Sequence, residues 1–320
     1  MQLHAMTRRL MSALRALMRD VLSVYWPLLR VMVPTLLAVR VLSELGATEG
    51  LGRVLSPVMQ LVGLPDAMGL VWAATMLTNL YTGLAVCFDL MSEVPLTVAQ
   101  VSVLGTLLLV AHALPVEAAI ARAAGVPVWA TLTLRIGGAL VLGAVLNAVY
   151  TAGGWLAGPA TPVWQPAPVP EGWAPWLLAQ GQMLLWVLVV ISALMAVMAL
   201  MRALHVERLL HAALAPVLRL IGIAPAAANI TVVGATLGIT LGAGLLLKDV
   251  RAGVLSRRDV FLALGFLGLF HSVIEDTLLV ALMGAHMSAI VWARLAFALV
   301  VIALLARLPV LQRRLSEAAA

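Results

Sequence analysis

Charge is what this sequence has least of. Asp, Glu, Lys and Arg make up only 11% of its 320 residues, where a soluble domain carries about a quarter. That scarcity excludes both an ordinary cytoplasmic enzyme and a disordered chain. Cysteine is nearly absent too: Cys87 stands alone in an apolar run, so no intramolecular disulfide and no cysteine-based zinc site is available. Lysine occurs once, at Lys248. The sequence also lacks a cleavable signal pattern, a Gly-Lys-Ser/Thr phosphate loop and a His-Glu-x-x-His motif. The run GAGLLLKD at 242–249 has phosphate-loop glycines without the ending, and Ser272 beside His271 makes no catalytic dyad, because adjacent helical residues diverge. No catalytic residue is assigned, and the chain is not expected to be an enzyme.

What is present is apolar sequence, 63% of the chain, with a mean hydropathy of +1.08. At ~20 residues per span this belongs in a bilayer. Apolar segments fall at about 21–44, 66–92, 97–122, 127–150, 180–204, 225–247, 259–284 and 287–308. Residues 1–20 carry Arg8, Arg9, Arg15 and Arg19 and read as a basic amphipathic helix. Residues 151–179 hold six prolines and four of the nine tryptophans. Proline at that density forbids a continuing helix, and the tryptophans place the segment at a membrane interface. The net charge of +6 sets orientation and lipid contact rather than nucleic-acid binding.

The Pro/Trp-rich linker separates two copies of one unit. Moving residues 54–150 by 159 positions lays them on 213–309 without a gap, with 19 identities in 97 positions. The rarer types carry the match: Pro57/Pro216, Gly63/Gly222, Gly83/Gly242, His112/His271, Gly125/Gly284 and Arg135/Arg294, with Glu117 falling on Asp276. The expected organisation is a basic helix (1–20), a first repeat (21–150), a periplasmic linker (151–179), a second repeat (180–308) and a cytoplasmic tail (309–320).

Loop charges set the relative direction of the copies. The 88–96 loop has Asp89 and Glu93 and no basic residue, while 248–258 has Lys248, Arg251, Arg257 and Arg258. Positive-inside scoring makes the halves mirror images, with both termini cytoplasmic in a bacterial-type inner membrane. One segment per half, 66–92 and 225–247, must then enter and leave on the same side, as a re-entrant hairpin or broken helix. TMLTNLYTG and GATLGITLGAG supply the Thr, Asn and Gly for such a break. The expected fold is an all-α polytopic membrane protein built as an inverted repeat. Each half has one span, an interfacial helix, a re-entrant hairpin or broken helix, and two further spans.

The segments LGRVLSPVMQLVGLPDAMGLVWAATMLTNLYTGL and HAALAPVLRLIGIAPAAANITVVGATLGITLGAG resemble the Gate, or nucleoside-recognition, domain. Concentrative nucleoside transporters, ferrous-iron permeases and spore-maturation membrane proteins share that domain. The resemblance implies a permease with polar residues at its hairpin tips, here Thr78, Asn79 and Thr82 in the first and Thr236 and Thr240 in the second. The GTPase domain and gate cysteines of iron permeases are missing.

Ionisable groups inside apolar segments are functional candidates by default. HSVIEDT places His271 and Glu275 four apart, on one face if the helix is continuous. In the first copy His112 and Glu117 lie at similar depth, with Pro115 to kink the helix. Glu117 lies eight residues before Gly125 and Arg135 ten after it; Asp276 and Arg294 bracket Gly284 in the same way. Two structural ion pairs are therefore expected, Glu117–Arg135 and Asp276–Arg294. His112, His271 and Glu275 are left for substrate or coupling, or, as an alternative, for a metal. The leading expectation is an alternating-access permease for a small polar, nucleoside-like solute. The alternatives are a divalent-metal transporter and a non-transporting membrane assembly factor. No cofactor is expected beyond a coupling H+ or Na+. The partners are membrane lipid and the solute or ion, with a homo-oligomer left open.

Overall fold

A computed structural model of the chain describes residues 2–45, 47–91, 94–163, 172–237, 249–250 and 252–308. The described residues form helices joined by turns, with no strand among them beyond an isolated bridge between Thr97 and Pro159, and five helices are long and apolar enough to cross a membrane. The chain is an all-α polytopic membrane protein.

The first, α1 (Gln2–Glu44), is one continuous helix containing Pro27 and Pro34. The basic segment 1–20 is thus continuous with the helix that holds the first span, Met18–Leu42. After α2 (Ala47–Leu61) the chain turns at Gly63, whose φ of +71° is left-handed and whose added Cβ would lie 2.1 Å from Asn147 Oδ1. Glycine is required there on both counts. Segment 66–92 is broken into α3 (Met68–Leu77) and α4 (Leu80–Met91). Asn79 Oδ1 accepts from Thr82 N at 2.9 Å and so caps the second piece. α5 (Val98–Val110) starts on a capping box made by Thr97 and Gln100 and is followed by α6 (Leu114–Ala123) and the long α7 (Val128–Gly153).

The second half repeats these elements. It comprises α8 (Trp173–Ala203), α9 (Val206–Leu220), α10 (Pro225–Leu237), α11 (Arg257–Leu269), α12 (Glu275–Ala281) and α13 (Ser288–Arg307). α9 and α11 begin and end 159 residues after α2 and α5, and Ser256 caps α11 as Thr97 caps α5. Ala113 and Ser272, also 159 apart, both have φ +47°, and Gly125 and Gly284 have φ +89° and +88°. The tip of the second hairpin, including Thr240, lies outside the described residues.

Packing separates a centre from a periphery. The span Val98–Ala123 is 72% buried, while α1 and α8 are 17% buried over their apolar windows and expose their faces outward. Those two outer helices run antiparallel. Trp173 Nε1 donates to Glu44 Oε2 at 3.1 Å, and further down α1 Tyr25 Oη donates to the Leu184 carbonyl at 2.9 Å.

The loops gather into two groups. In one, Gln100 Nε2 donates to the Gly63 carbonyl (3.3 Å), Ala160 N to Leu96 O (2.9 Å) and Val163 N to Leu282 O (2.9 Å), and Gly284 packs on the Thr161 backbone. In the other, Arg258 donates to the carbonyls of Gly222 (2.9 Å) and Ala306 (3.2 Å), and Gly125, Val250, Leu255 and Leu305 share the wall of one cavity. The α5–α6 run leads from the first group to the second and α7 returns; α11–α12 leads from the second to the first. At 1.5 Å per residue each run of 26 residues is about 39 Å long, enough to cross a bilayer. Gly63 and Gly222, Leu96 and Leu255, and Gly125 and Gly284 therefore fall in opposite groups.

Candidate functional site

Both central runs are interrupted at a histidine. α5 ends at Val110; Ala113 then takes a left-handed conformation, and Pro115 opens α6. In the second copy α11 ends at Leu269, Ser272 takes the same left-handed conformation, and α12 opens at Glu275. The second break has Ile274 where the first has Pro115, so proline does not by itself cause the interruption. What the two breaks share is a histidine folded back on its own helix. His112 Nδ1 donates to Leu108 O at 3.0 Å, and His271 Nδ1 donates to Leu267 O at 2.6 Å. A side chain that competes for an i−4 carbonyl in this way offers the backbone an exit from the helix. The freed amides find carbonyls on the neighbouring helices: Ala113 N on Thr75 O at 3.1 Å, Val273 N on Ala235 O at 2.9 Å.

Buried arginines serve the freed carbonyls. Arg135 Nε donates to Val110 O at 2.7 Å and Arg294 donates to His271 O at 3.2 Å. A cation at the C-terminal end of a half-helix meets the negative end of its dipole. Arg135 lies within a π turn (Thr133–Gly137), and Arg294 directly follows one (Ser288–Ala293). Each turn adds a residue to the helical repeat and re-aims the side chains beyond it.

The breaks deliver four side chains to one point. His112 Nε2 and His271 Nε2 are 3.1 Å apart, with ring centroids separated by 4.9 Å. Glu117 Oε1 lies 3.3 Å from the first and 3.4 Å from the second, and Asp276 Oδ2 lies 3.6 and 4.0 Å from them. The other oxygen of Glu117 accepts from Arg135. The histidines are 159 residues apart, so each meets its own repeat equivalent. A contact between equivalent residues is what a local two-fold axis produces. Because a carbonyl can only accept, each Nδ1 must carry a hydrogen; a ring with no second hydrogen then turns an acceptor Nε2 toward the other.

The structure sorts the residues singled out from sequence. Glu117 and Arg135 form a salt bridge. Asp276 and Arg294 form none among the described residues: Asp276 faces the histidines, and Arg294 lies over the Phe270 ring at 4.8 Å with Nε and Nη1 unbonded. Equal offsets from a turn glycine fix depth along a hairpin but not rotation about its helix. The π turn of α13 precedes Arg294, whereas that of α7 contains Arg135, and aspartate is one methylene shorter than glutamate.

Glu275 does not join His271. Their four-residue spacing predicts a shared face only in a continuous helix, and the helix stops between them. Glu275 accepts instead from Tyr81 Oη at 3.2 Å, across the repeats; Tyr81 was not legible as a partner at 194 positions' distance. The carboxylate at the histidines is Glu117, whose fully buried group with His112 and His271 has its three donor atoms within 4.8 Å of one another. The hairpin hydroxyls are engaged locally: Thr78 Oγ1 with Ala74 O, Thr82 Oγ1 with Asn79 Oδ1, and Thr236 Oγ1 with Val232 O.

A cavity of about 970 Å³ opens beside the α6–α7 turn, lined by Pro127, Trp129, Arg257 and Phe261 among others. It shares Val126, Ala130, Leu134 and Phe261 with a crevice of about 20 Å³ that reaches Arg135 between Gly265 and Gly268. That is room for about one water, and it leads from the cavity to Arg135, the partner of Glu117.

The chain is 30% identical over 263 residues to the uncharacterized membrane protein YvoD of Bacillus subtilis (strain 168), a match covering 79% of this chain and 81% of that protein. No family model and no solved structure matches the chain.

Proposed function

We propose that this protein, which belongs to the same family as the membrane protein YvoD, is a Gate-type inner-membrane permease that moves a small polar solute by alternating access. The observation that carries the reading is the contact of His112 with His271 at the junction of the two copies, 3.1 Å apart and buried. Carriers built from repeats bind their solute at such a junction, on discontinuous helices. Irregular backbone is tolerated at membrane depth only where it is enclosed in protein or lines a cavity.

An inverted relation between the copies is supported by the loops, because equivalent residues such as Gly63 and Gly222 belong to opposite groups. The group containing Arg257 and Arg258 is the cytoplasmic one by the positive-inside rule, so the cavity beside the α6–α7 turn is the inward vestibule. The crevice from that vestibule ends at Arg135, the partner of Glu117, and has room for about one water. The hairpin hydroxyls that a nucleoside would need are bonded within their own turns. Both features favour a solute smaller than a nucleoside. The chain acts as a carrier and not as an enzyme, with its termini in the cytoplasm and lipid as its surroundings.

Reconstitution tests this. Proteoliposomes holding the purified chain are expected to take up a small labelled solute faster than empty liposomes, across a panel of divalent ions, small organic ions and nucleosides. No uptake of any of them, with the protein folded, leaves a non-transporting assembly role and overturns the permease.

A further inference from the structure

The two histidines pose a chemical problem that their own hydrogen bonds create. Each is committed at Nδ1 to a backbone carbonyl, so two Nε2 lone pairs approach to 3.1 Å. Two acceptors at that distance repel unless a cation stands between them. A third acceptor, Glu117 Oε1, sits almost equally far from both, at 3.3 and 3.4 Å. A shared proton would need only the two nitrogens. Three donor atoms in a near-equilateral triangle with sides of 3.1–3.4 Å are instead one face of a tetrahedron: bonds of about 2.0–2.1 Å from a central ion put tetrahedral ligands about 3.3–3.4 Å apart.

We infer that His112, His271 and Glu117 bind a divalent first-row transition-metal ion, with Asp276 as the fourth donor. Asp276 Oδ2 lies 3.6 and 4.0 Å from the nitrogens, on the side of the two histidines, and would move inward to complete the set. The surroundings are those of metal ligands. Each imidazole is oriented by a carbonyl on its far nitrogen, and Glu117 is held by Arg135 through the oxygen that does not face the histidines. Two imidazoles exclude magnesium and calcium, which prefer all-oxygen shells, and the absence of thiolate disfavours copper(I). Zinc, iron(II), cobalt, nickel and manganese remain. The Arg135 guanidinium beside the site weakens the grip on any cation, as release from a carrier requires. That the ion is the transported solute rests on the permease reading; that it binds does not.

Cobalt(II) separates the two claims. In detergent, the purified full-length chain is expected to bind one Co2+ whose d–d absorption reports low coordination number. Glu117→Gln and His112→Ala are expected to weaken that binding by more than the ~10–100-fold that loss of an outer-shell partner causes. His286→Ala removes an exposed imidazole bonded to Ser288 and should leave it unchanged. If the alanine variant does not fold, His271→Cys on a Cys87→Ala background keeps the test decisive. A thiolate at the site must then give a sulfur-to-cobalt charge-transfer band.

Binding that survives Glu117→Gln, or no binding and no such band in folded protein, overturns the metal site. Flux of Co2+ into proteoliposomes carrying an entrapped metal-quenched dye is read separately. Binding without flux keeps the site and defeats the permease reading for this ion. Flux of another solute without metal binding does the reverse.

Discussion

The two copies share a backbone and differ in how they settle their charges. Around His112 the carboxylate and the arginine are joined: Glu117 is held by Arg135, which also caps α5 through Val110. Around His271 they are apart. Asp276 is turned toward both imidazoles, and Arg294 caps the break through His271 O while two of its nitrogens stay unbonded. The same left-handed residue, the same folded-back imidazole and the same arginine recur in each half. A repeat can therefore keep its architecture while one copy ties its carboxylate to an arginine and the other turns it to the histidines without that tie.

The sharpest way to break the comparison is to ask whether the copies face opposite sides. Pro95 and Val254 are repeat equivalents and both are exposed. Placed singly in a chain with Cys87 replaced, cysteines there are expected to label with an impermeant thiol reagent from opposite faces of the membrane, Pro95→Cys from outside. Labelling of both from one face would make the repeats parallel.

Next comes the difference between the arginines. Arg135→Ala strands the Glu117 carboxylate and is expected to cost about 3–5 kcal/mol, seen as a lowered melting temperature in detergent. Arg294→Ala strands no salt-bridged partner and should cost less, about 1.5–3 kcal/mol for a hydrogen bond to a charged group. Glu117→Gln with Arg135→Gln should be milder than Arg135→Ala alone. Simple addition of two losses would show that the pair is not coupled. Equal costs for the two arginines would erase the asymmetry between the copies.

The smallest effect distinguishes two glycines. Gly63 and Gly222 both turn left-handed, with φ +71° and +98°, so alanine costs each about 1–2 kcal/mol. A Cβ at Gly63 also overlaps the Asn147 amide at 2.1–2.6 Å, whereas at Gly222 the nearest atoms are 3.3 Å away. Gly63→Ala should therefore cost about 1–3 kcal/mol more in the same melting assay. The reverse order would mean that Asn147 swings aside freely.

Much of this was legible because it is local or periodic. The break at 78–79 follows from Thr, Asn and Gly in an apolar run, and the caps at Thr97 and Ser256 from their residue types. The 159-residue offset is written in rare residues such as Pro57/Pro216 and His112/His271. Glu275 shows where such reading stops. Its spacing from His271 implies contact on a continuous helix, and the helix breaks where the His271 imidazole is bonded to the Leu267 carbonyl, a competition that no periodicity records.

The membrane as solvent, the helices and the duplication can all be read along the chain, since apolar content, capping residues and a fixed repeat act through sequence neighbours. Packing alone settled that His112 meets His271, that Glu117 and not Glu275 stands beside them, and that Asp276 faces the histidines with no salt bridge to Arg294. Those outcomes depend on the rotation of each helix about its own axis. That rotation is set by π turns and by backbone bonds to neighbouring helices, such as Ala113 N to Thr75 O and Val273 N to Ala235 O. Bonds between residues far apart in the chain exist only once the helices have packed.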